Sequence, residues 1–297
     1  MHKLLTILIF TIAPLFSIAN ATTVTHPLGT INIDTTPERV VVIGIGSLDV
    51  LDYFDIDPIA VSKGVTYPEY LKKYDTDAYP SSGSLFEPDF ETIYNLKPDL
   101  IIVGSRGAKA YKELSDIAPT LLFAVDGKKS YWQSTQDQWR NIGKVFQIED
   151  QVEKTIKSLD AQINNIKSDN QNNNQDALTV MSSGGNITAF GAKSRFASIY
   201  TDFGYTETVE GIKESRHGDL ISYEFISEKQ PSNLLVVDRD ILVNKGKSET
   251  RKQFDNDLVK STPAYKNNRM VFLDINAWYL AIAGVNATKQ MIIDMAH

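Results

Sequence analysis

A long amphipathic helix near the middle of the sequence limits the folds that this chain can adopt. Its apolar residues recur at intervals of three or four: Val145, Ile148, Val152, Ile156, Leu159, Ile163 and Ile166. This spacing aligns them in one stripe on a helix of about 22 residues, which is about 33 Å long. A polar run over residues 169–176 follows and is typical of a solvated turn. We therefore predict a connecting helix over residues 145–169, between an N-terminal lobe, residues 22–144, and a C-terminal lobe, residues 170–297.

On both sides of this helix, short apolar runs alternate with helical patterns. The strands predicted from these runs cover residues 40–45, 59–61, 100–103, 121–125, 178–181, 187–190, 234–237 and 270–273. The predicted helices cover residues 48–54, 90–96, 108–117, 221–228 and 288–295. Runs with no polar alternation are typical of strands buried on both faces, and regular strand–helix alternation indicates parallel βαβ units. The sequence thus predicts an α/β fold with mainly parallel sheets, and residues 182–186 predict a hairpin turn.

The two halves of the chain share a spacing that indicates internal symmetry. Glu91 precedes Pro98 by seven residues, and Glu224 precedes Pro231 by the same number. In each half the proline ends a predicted helix where the chain enters a predicted core strand. The offset between the two patterns is 133 residues. We infer a bilobed molecule whose halves have related architectures.

Composition and missing motifs exclude several classes of function. The chain of 297 residues contains no cysteine, which excludes a disulfide framework, an iron–sulfur cluster, a cysteine-ligated zinc and a thiol nucleophile. Its net charge of −7 disfavours binding to nucleic acid. It has no Gly-x-Ser-x-Gly elbow, no phosphate-binding Gly-x-x-x-x-Gly-Lys loop and no His-Glu-x-x-His zinc motif. We expect no enzymatic activity, and an exported α/β enzyme is the less favoured alternative.

The N-terminus has the features of a secretory signal. Lys3 precedes a largely apolar stretch over residues 4–18, and Ala19-Asn20-Ala21 matches a small-x-small cleavage site. A membrane anchor is the alternative, but Pro14 and two threonines interrupt a stretch that is short for a bilayer span. We predict that residues 1–21 are removed after Ala21, which leaves 276 residues with a net charge of −8 in the periplasm.

A family resemblance is carried by two adjacent segments. Phe86-Glu87-Pro88-Asp89-Phe90-Glu91 and Leu96-Lys97-Pro98-Asp99-Leu100-Ile101-Ile102 resemble a signature of the periplasmic binding proteins for siderophores, haem and cobalamin. The resemblance implies two Rossmann-like lobes joined by one long helix, with the ligand cleft between them. In that family a glutamate from each lobe docks onto arginines of an ABC permease, and Glu91 and Glu224 match those positions. Alternatively, both are solvated carboxylates that the dipole of a helix start stabilises.

A narrower resemblance is to the ferric catecholate siderophore binders of that family. It is carried by five short motifs in order along the chain: Gly104-Ser105-Arg106, Lys193-Ser194-Arg195-Phe196, Ser215-Arg216-His217-Gly218, Val237-Asp238-Arg239 and Ala277-Trp278-Tyr279-Leu280. The resemblance implies that three arginines surround the ligand, and these are Arg106, Arg195 and Arg239. It also implies that His217 and Tyr279 complete the coordination of iron in some complexes.

The chemistry of a ferric catecholate explains these residue types. A tris-catecholate complex of ferric iron is a trianion, and arginine meets such a ligand with a permanent charge and a planar pair of donors. We expect Lys109 to add a further cation. A tetradentate bis-catecholate leaves two iron positions open, which a neutral imidazole and a phenolate can fill. Haem and cobalamin are the alternative ligands, and both suit several arginines less well.

Together these observations predict a periplasmic substrate-binding protein that captures a ferric catecholate siderophore and delivers it to an ABC permease. We expect a monomer. Iron(III) enters as part of the ligand, and no permanently bound cofactor is expected. The connecting helix contains neither glycine nor proline, so we expect only modest closure of the lobes on the ligand.

Overall fold

The computed structural model describes residues 22–213, 217–244 and 246–296, so the predicted signal sequence over residues 1–21 lies outside the described residues. The strands are β1 Thr22–His26, β2 Gly29–Ile33, β3 Val40–Ile43, β4 Ala60–Val61, β5 Leu100–Gly104, β6 Thr120–Phe123, β7 Asp176–Ser183, β8 Asn186–Phe190, β9 Thr206–Glu207, β10 Asp219–Ile221, β11 Leu234–Asp238 and β12 Met270–Leu273. The helices are α1 Ile45–Tyr53, α2 Phe90–Leu96, α3 Tyr111–Ser115, α4 Tyr131–Phe146, α5 Glu149–Asn172, α6 Ser198–Thr201, α7 Tyr223–Lys229, α8 Asp240–Val243, α9 Thr250–Phe254, α10 Asp257–Lys260, α11 Pro263–Lys266 and α12 Val285–Met295. No helix within these ranges is long and apolar enough to cross a membrane.

The first sheet is entirely parallel, as predicted. Its strand order is β4-β3-β5-β6, and every neighbouring pair runs in the same direction. The side chains of β3 are buried along its whole length because helices cover both faces of the sheet. The carboxyl ends of β3, β5 and β6 therefore meet at one edge, where the loops can carry a binding site.

The second sheet is mixed. Its order is β10-β8-β7-β11-β12, in which β7, β11 and β12 are parallel whereas β8 and β10 run antiparallel to their neighbours. The predicted hairpin is formed by β7 and β8. Gly184 and Gly185 both have a left-handed backbone, with φ of 58° and 80°, as a tight hairpin turn requires. The α/β class and the two parallel-strand cores are confirmed.

The connecting helix starts later than predicted. Val145 belongs to α4, which ends where Gln147 adopts a left-handed backbone with φ 57°. The Ile148 N–H donates a hydrogen bond to the Gly143 carbonyl at 2.9 Å at this end of α4. Helix α5 then begins at Glu149. The predicted start at residue 145 was wrong because the stripe runs across two helices that pack against the same core.

The polar run after the stripe is also not a simple turn. Helix α5 continues to Asn172, and Asn170 is buried with its side-chain amide donating to the Phe203 carbonyl at 2.9 Å. Strand β7 then begins at Asp176. The prediction of a solvated turn from residue 169 was therefore wrong over 169–172, since a buried amide with a partner can extend a helix.

The last helix packs back onto the first. The Asp49 carboxylate of α1 accepts the backbone N–H groups of Asn286 and Ala287 at 2.9 and 3.0 Å, and so caps α12. Just before α12, the Trp139 Nε1 of α4 donates to the Ala283 carbonyl at 2.6 Å. Helix α12, which the sequence division places in the second lobe, thus also forms part of the core around α1.

Candidate functional site

Two of the predicted arginines follow strands at corresponding positions in the two sheets. Arg106 comes two residues after the end of β5, and Arg239 comes directly after β11. The carboxyl ends of parallel strands are where open α/β sheets bind ligands. Arg106 and Arg239 are 133 residues apart, which is the offset that relates Glu91 to Glu224. Equivalent positions in the two halves thus carry equivalent cations.

Tyr279 lies among the three predicted arginines, Arg106, Arg195 and Arg239, which we call the arginine group. It belongs to one turn of π-helix, Asn276–Leu280, and is half-buried. The Nη2 of Arg106 donates to the Tyr279 carbonyl oxygen at 2.8 Å. The Cζ atoms of Arg106 and Arg195 lie 5.7 Å and 4.6 Å from the centroid of the Tyr279 ring. At these distances an aromatic face attracts a cation.

The arginine group changes the acidity of the Tyr279 phenol. Arg239 donates from Nη1 to Ser183 Oγ at 3.0 Å, and the side chains of Arg195 and Arg239 both hydrogen-bond the phenol. Burial alone raises the pKa of this phenol. The hydrogen bonds and charges of the two guanidinium groups outweigh burial, so the pKa of Tyr279 lies below its ordinary value. Cations from three distant parts of the sequence therefore converge on one tyrosine.

A small cavity lies between the carboxyl ends of the first sheet and the segment after the π-helical turn. Its volume is about 40 Å³, and it is lined by Ser47 and Arg106 on one side and by Leu280 on the other. Such a volume holds about three water molecules. By contrast, Arg195 is exposed, so the arginine group also faces solvent.

Two further predicted residues, Lys109 and His217, lie in exposed segments. Lys109 is in a 3₁₀ turn, Ala108–Ala110, shortly after Arg106. His217 is exposed and directly precedes Gly218, whose left-handed backbone (φ 65°) passes close to strand β8. The neighbouring Arg216 lies outside the described residues. Among the residues that it describes, the structure brings together the arginine group and Tyr279, but not Lys109 or His217. The binding roles of all six residues stay predictions.

The two predicted docking glutamates occupy the first turns of two short helices. Glu91 in α2 and Glu224 in α7 are both exposed. The Asp89 carboxylate accepts the Thr92 N–H at 3.0 Å and caps α2, and the Ser222 hydroxyl caps α7 in the same way. Hydrogen bonds from its own N–H and from Ser222 hold the pKa of Glu224 below its usual range.

The ends of these helices also match. Each helix ends in a non-glycine residue with a left-handed backbone, Lys97 with φ 49° and Gln230 with φ 48°. Each such residue is followed by a proline, Pro98 or Pro231, which cannot continue a helix. The two glutamates are therefore held by the same local architecture on the two halves of the molecule.

Sequence reasoning missed two parts of this site. The π-helical turn that carries Tyr279 has no reliable signature in a single sequence. For Ser183, which accepts a hydrogen bond from Arg239, the sequence predicts only a hairpin turn. One signal for Ser183 was available: it lies two residues after the predicted strand over 178–181, which pairs with β11 in the sheet.

The chain is similar to known proteins along nearly its whole length. A family profile described as periplasmic binding protein matches residues 40–277. The crystal structure of the periplasmic catecholate-siderophore binding protein VctP from Vibrio cholerae is 58% identical, covers 93% of this chain and 99% of its own, and superposes with a TM-score of 0.90. The petrobactin-binding protein YclQ of Bacillus subtilis is 39% identical over 274 residues, 91% of this chain and 86% of its own length. The ferric-anguibactin-binding protein FatB of Vibrio anguillarum is 30% identical over 91% of this chain and 85% of its own.

Proposed function

The chain belongs to the periplasmic binding protein family, and from this membership we propose that it captures ferric catecholate siderophores for import by an ABC permease. The observation that carries the proposal is the convergence of the arginine group on Tyr279. Similarity to siderophore binders, with 58% identity to a catecholate-siderophore binder, supports the ligand class. The protein is a carrier and not an enzyme.

The electrostatics of the molecule support a polyanionic ligand. The chain has 37 acidic against 30 basic residues, so its overall field repels anions. Three arginines held against one tyrosine create a local region of opposite sign. Their charge is permanent, and their planar donors match pairs of neighbouring catecholate oxygens. In this proposal the arginine group is the ligand-binding surface, and Lys109 extends it.

The size of the cavity indicates where the ligand lies. A site for a ligand of ordinary size encloses several hundred Å³, on the order of 300 or more. The cavity beside Arg106 has about 40 Å³ and is too small for a siderophore. We therefore place the siderophore on the open side of the arginine group, where Arg195 is exposed.

Iron is the cargo in this proposal, carried within the siderophore. Where the chelate leaves coordination positions open, the Tyr279 phenolate and the His217 imidazole fill them. The lowered pKa of Tyr279 favours this, because a phenol must lose its proton to coordinate iron. The similar protein BauB, 31% identical, was solved with a complex of two acinetobactin molecules and ferric iron.

Delivery to the permease uses the matched helices α2 and α7. We propose that Glu91 and Glu224 contact arginines on the periplasmic face of the permease, one from each half of the carrier. In this proposal the mature protein is a periplasmic monomer from which residues 1–21 have been cleaved after Ala21.

The proposal is tested by quenching of the intrinsic fluorescence of the purified protein. The ligands are ferric tris-catecholate made from catechol, the ferric complex of a synthetic bis-catecholate, haem and cobalamin. We expect saturable binding of the two iron catecholates. Replacing Arg106, Arg195 or Arg239 by glutamine should weaken each of them about tenfold, because a charged hydrogen bond is lost. The matched control is Arg140→Gln, which removes a surface arginine that pairs with Glu153 on α5. Preference for haem or cobalamin, or equal effects of the control, would overturn the proposal.

A further inference from the structure

We propose that Glu207 is a positioning residue for the siderophore site, because it fixes the loop that presents Arg195. This inference rests on the proposed function only in taking Arg195 as a ligand-binding residue. The Arg195 loop comprises residues 191–196, between β8 and α6.

One end of the Arg195 loop is anchored in the core. The Phe196 side chain is 1% exposed and packs edge-to-face against Phe190 with ring centroids 5.0 Å apart. Inside the loop, Ser194 donates from both its N–H and its hydroxyl to the Gly191 carbonyl, at 3.1 and 2.6 Å. The start of the loop follows Phe190, the last residue of β8, which pairs with Thr179 of β7. The bonds of Ser194 make the turn between these two ends compact.

Glu207 adds an anchor within the loop, at Ala192. Its Oε1 accepts the Ala192 N–H at 2.7 Å, 15 residues away in sequence. A bond from an N–H to a carboxylate is stronger than one to a neutral acceptor. Glu207 itself is held in β9, which pairs with β7 through Ala177, and the Thr208 N–H donates to the Ala177 carbonyl at 3.1 Å. The sheet therefore holds the carboxylate in place, and its bond to the Ala192 N–H fixes the loop to the sheet. We call this bond the Glu207 clamp.

Gly191 leaves room for this carboxylate because it has no Cβ atom. A Cβ atom at position 191 would lie 2.4 Å from Glu207 Oε1 and 3.3 Å from Ile212 Cβ. Any side chain there would push the carboxylate away from the Ala192 N–H. The Glu207 clamp thus depends on both the glycine and the glutamate. No local sequence pattern indicates it, because the two residues are 16 positions apart.

The consequence concerns the exposed guanidinium of Arg195, which lies 4.6 Å from the Tyr279 ring centroid. A long exposed side chain has many rotamers, so the place of its guanidinium depends on where its backbone is held. With the clamp in place, Arg195 reaches Tyr279 and the ligand from a fixed origin. Without it, the turn moves as a unit and Arg195 loses its alignment, although the core stays intact.

The test compares four variants in the full-length mature protein with ferric tris-catecholate made from catechol as the probe. Glu207→Ala should weaken binding about tenfold, whereas Glu207→Gln, which keeps an acceptor oxygen, should stay within about threefold of wild type. Gly191→Ala should reproduce the loss through the displaced carboxylate. The matched control is Glu210→Ala, which removes an exposed carboxylate three residues further on.

A double-mutant cycle distinguishes positioning from a general structural effect. In an Arg195→Ala background, Glu207→Ala should cause no further loss of affinity, because Glu207 acts through Arg195. Fully additive losses, or a loss in Glu207→Gln as large as in Glu207→Ala, would overturn the proposal. If Glu207→Ala does not fold, Gly191→Ala with the same cycle decides.

Two measurements need no ligand and separate this inference from the proposed function. Hydrogen exchange at the Ala192 amide should be faster in Glu207→Ala and in Gly191→Ala, and the Arg195 Nε–H resonance should shift in both. If the wild type fails to bind ferric catecholates, the proposed function fails while these measurements still test the clamp. An Ala192 amide and an Arg195 resonance unchanged in both variants would refute it.

Discussion

Opposing influences act on the pKa of the Tyr279 phenol, and its proposed role as an iron ligand would exploit them. Burial favours the neutral phenol, whereas Arg195 and Arg239 favour the phenolate, and the arginines prevail. The same guanidinium groups are the proposed partners of the catecholate oxygens. A phenolate and a catecholate are chemically similar, so one set of cations can stabilise both the protein ligand and the siderophore.

The proposed coordination of iron by Tyr279 and His217 gives a prediction about the denticity of the siderophore. Tyr279→Phe and His217→Ala should weaken the ferric complex of a bis-catecholate by roughly tenfold to hundredfold, since two iron positions lose their protein ligands. Ferric tris-catecholate has no open position, so its affinity should change by less than about threefold. Fluorescence titration measures both. Equal losses for the two ligands would contradict coordination by these residues.

Asp49 gives a prediction about pH. Burial raises the pKa of Asp49 from about 3.8 to about 6, against the opposing hydrogen bonds of Asn286, Tyr70 and Ala287. Because the folded pKa is the higher one, the stability from this group is complete below about pH 4 and is lost as the pH rises through 6. The shift corresponds to at most about 3 kcal/mol.

Asp49→Asn removes this titration and one of the two acceptors that cap α12. Thermal unfolding of both proteins between pH 4 and pH 8 tests the effect. The advantage of the wild type over the variant should grow as the pH falls from 7 to 4. A difference in melting temperature that stays constant across this range would show that Asp49 does not titrate as inferred.

At the scale of elements, the break between α4 and α5 depends on one strained residue. Gln147 adopts a left-handed backbone (φ 57°), which favours glycine. Gln147→Gly should raise the free energy of unfolding by up to about 1 kcal/mol, and Gln147→Val should lower it by at least as much. Urea denaturation measures both. A stabilising valine would contradict the strain.

The core elements were predictable because they are defined by local patterns. The parallel strands at Val40–Ile43 and Leu100–Gly104 are uninterrupted apolar runs, and proline punctuates the ends of α2 and α7. The break at Gln147 was not predictable, since a glutamine in a left-handed conformation has no marker comparable to glycine. Short strands such as β9 were missed because they depend on pairing with a distant strand.

The candidate site was predictable to a similar extent. Arg106 and Arg239 could be placed because each follows a recognisable strand. Their approach to Tyr279 could not be worked out, since 173 residues separate Arg106 from Tyr279 and the contact depends on tertiary folding. The Glu207 clamp also joins segments that no local pattern connects.

At the scale of the whole molecule, the two matched helices predict a separation of binding from transport. Glu91→Ala combined with Glu224→Ala should leave the affinity for ferric catecholates unchanged and reduce siderophore-dependent iron uptake by cells roughly tenfold or more, because complementary charges are lost at the permease. The matched control removes Glu69 and Glu249, which are 85% and 73% exposed. Uptake at the wild-type rate in the double variant would count against docking.

The connections between the halves predict a small conformational change on binding. Helix α5 has neither glycine nor proline over Glu149–Asn172, and the segment at Ala283 forms a second connection through Tyr131 and Trp139. These two connections thus restrict rotation of one half of the molecule relative to the other. Crystal structures of the free and loaded protein should superpose with only a small rotation between the two sheets, and a large rotation would contradict this.

The capping of α12 by Asp49 has a consequence for how the chain acquires its fold during synthesis. The first sheet is complete in sequence by Phe123. Residues 285–295 still have to supply two N–H donors to the Asp49 carboxylate and the helix that covers one side of α1. Until those residues have been synthesised, one side of the core around α1 stays uncovered. Such late closure of the core would suit a chain that crosses a membrane before it folds, in keeping with the proposed periplasmic location.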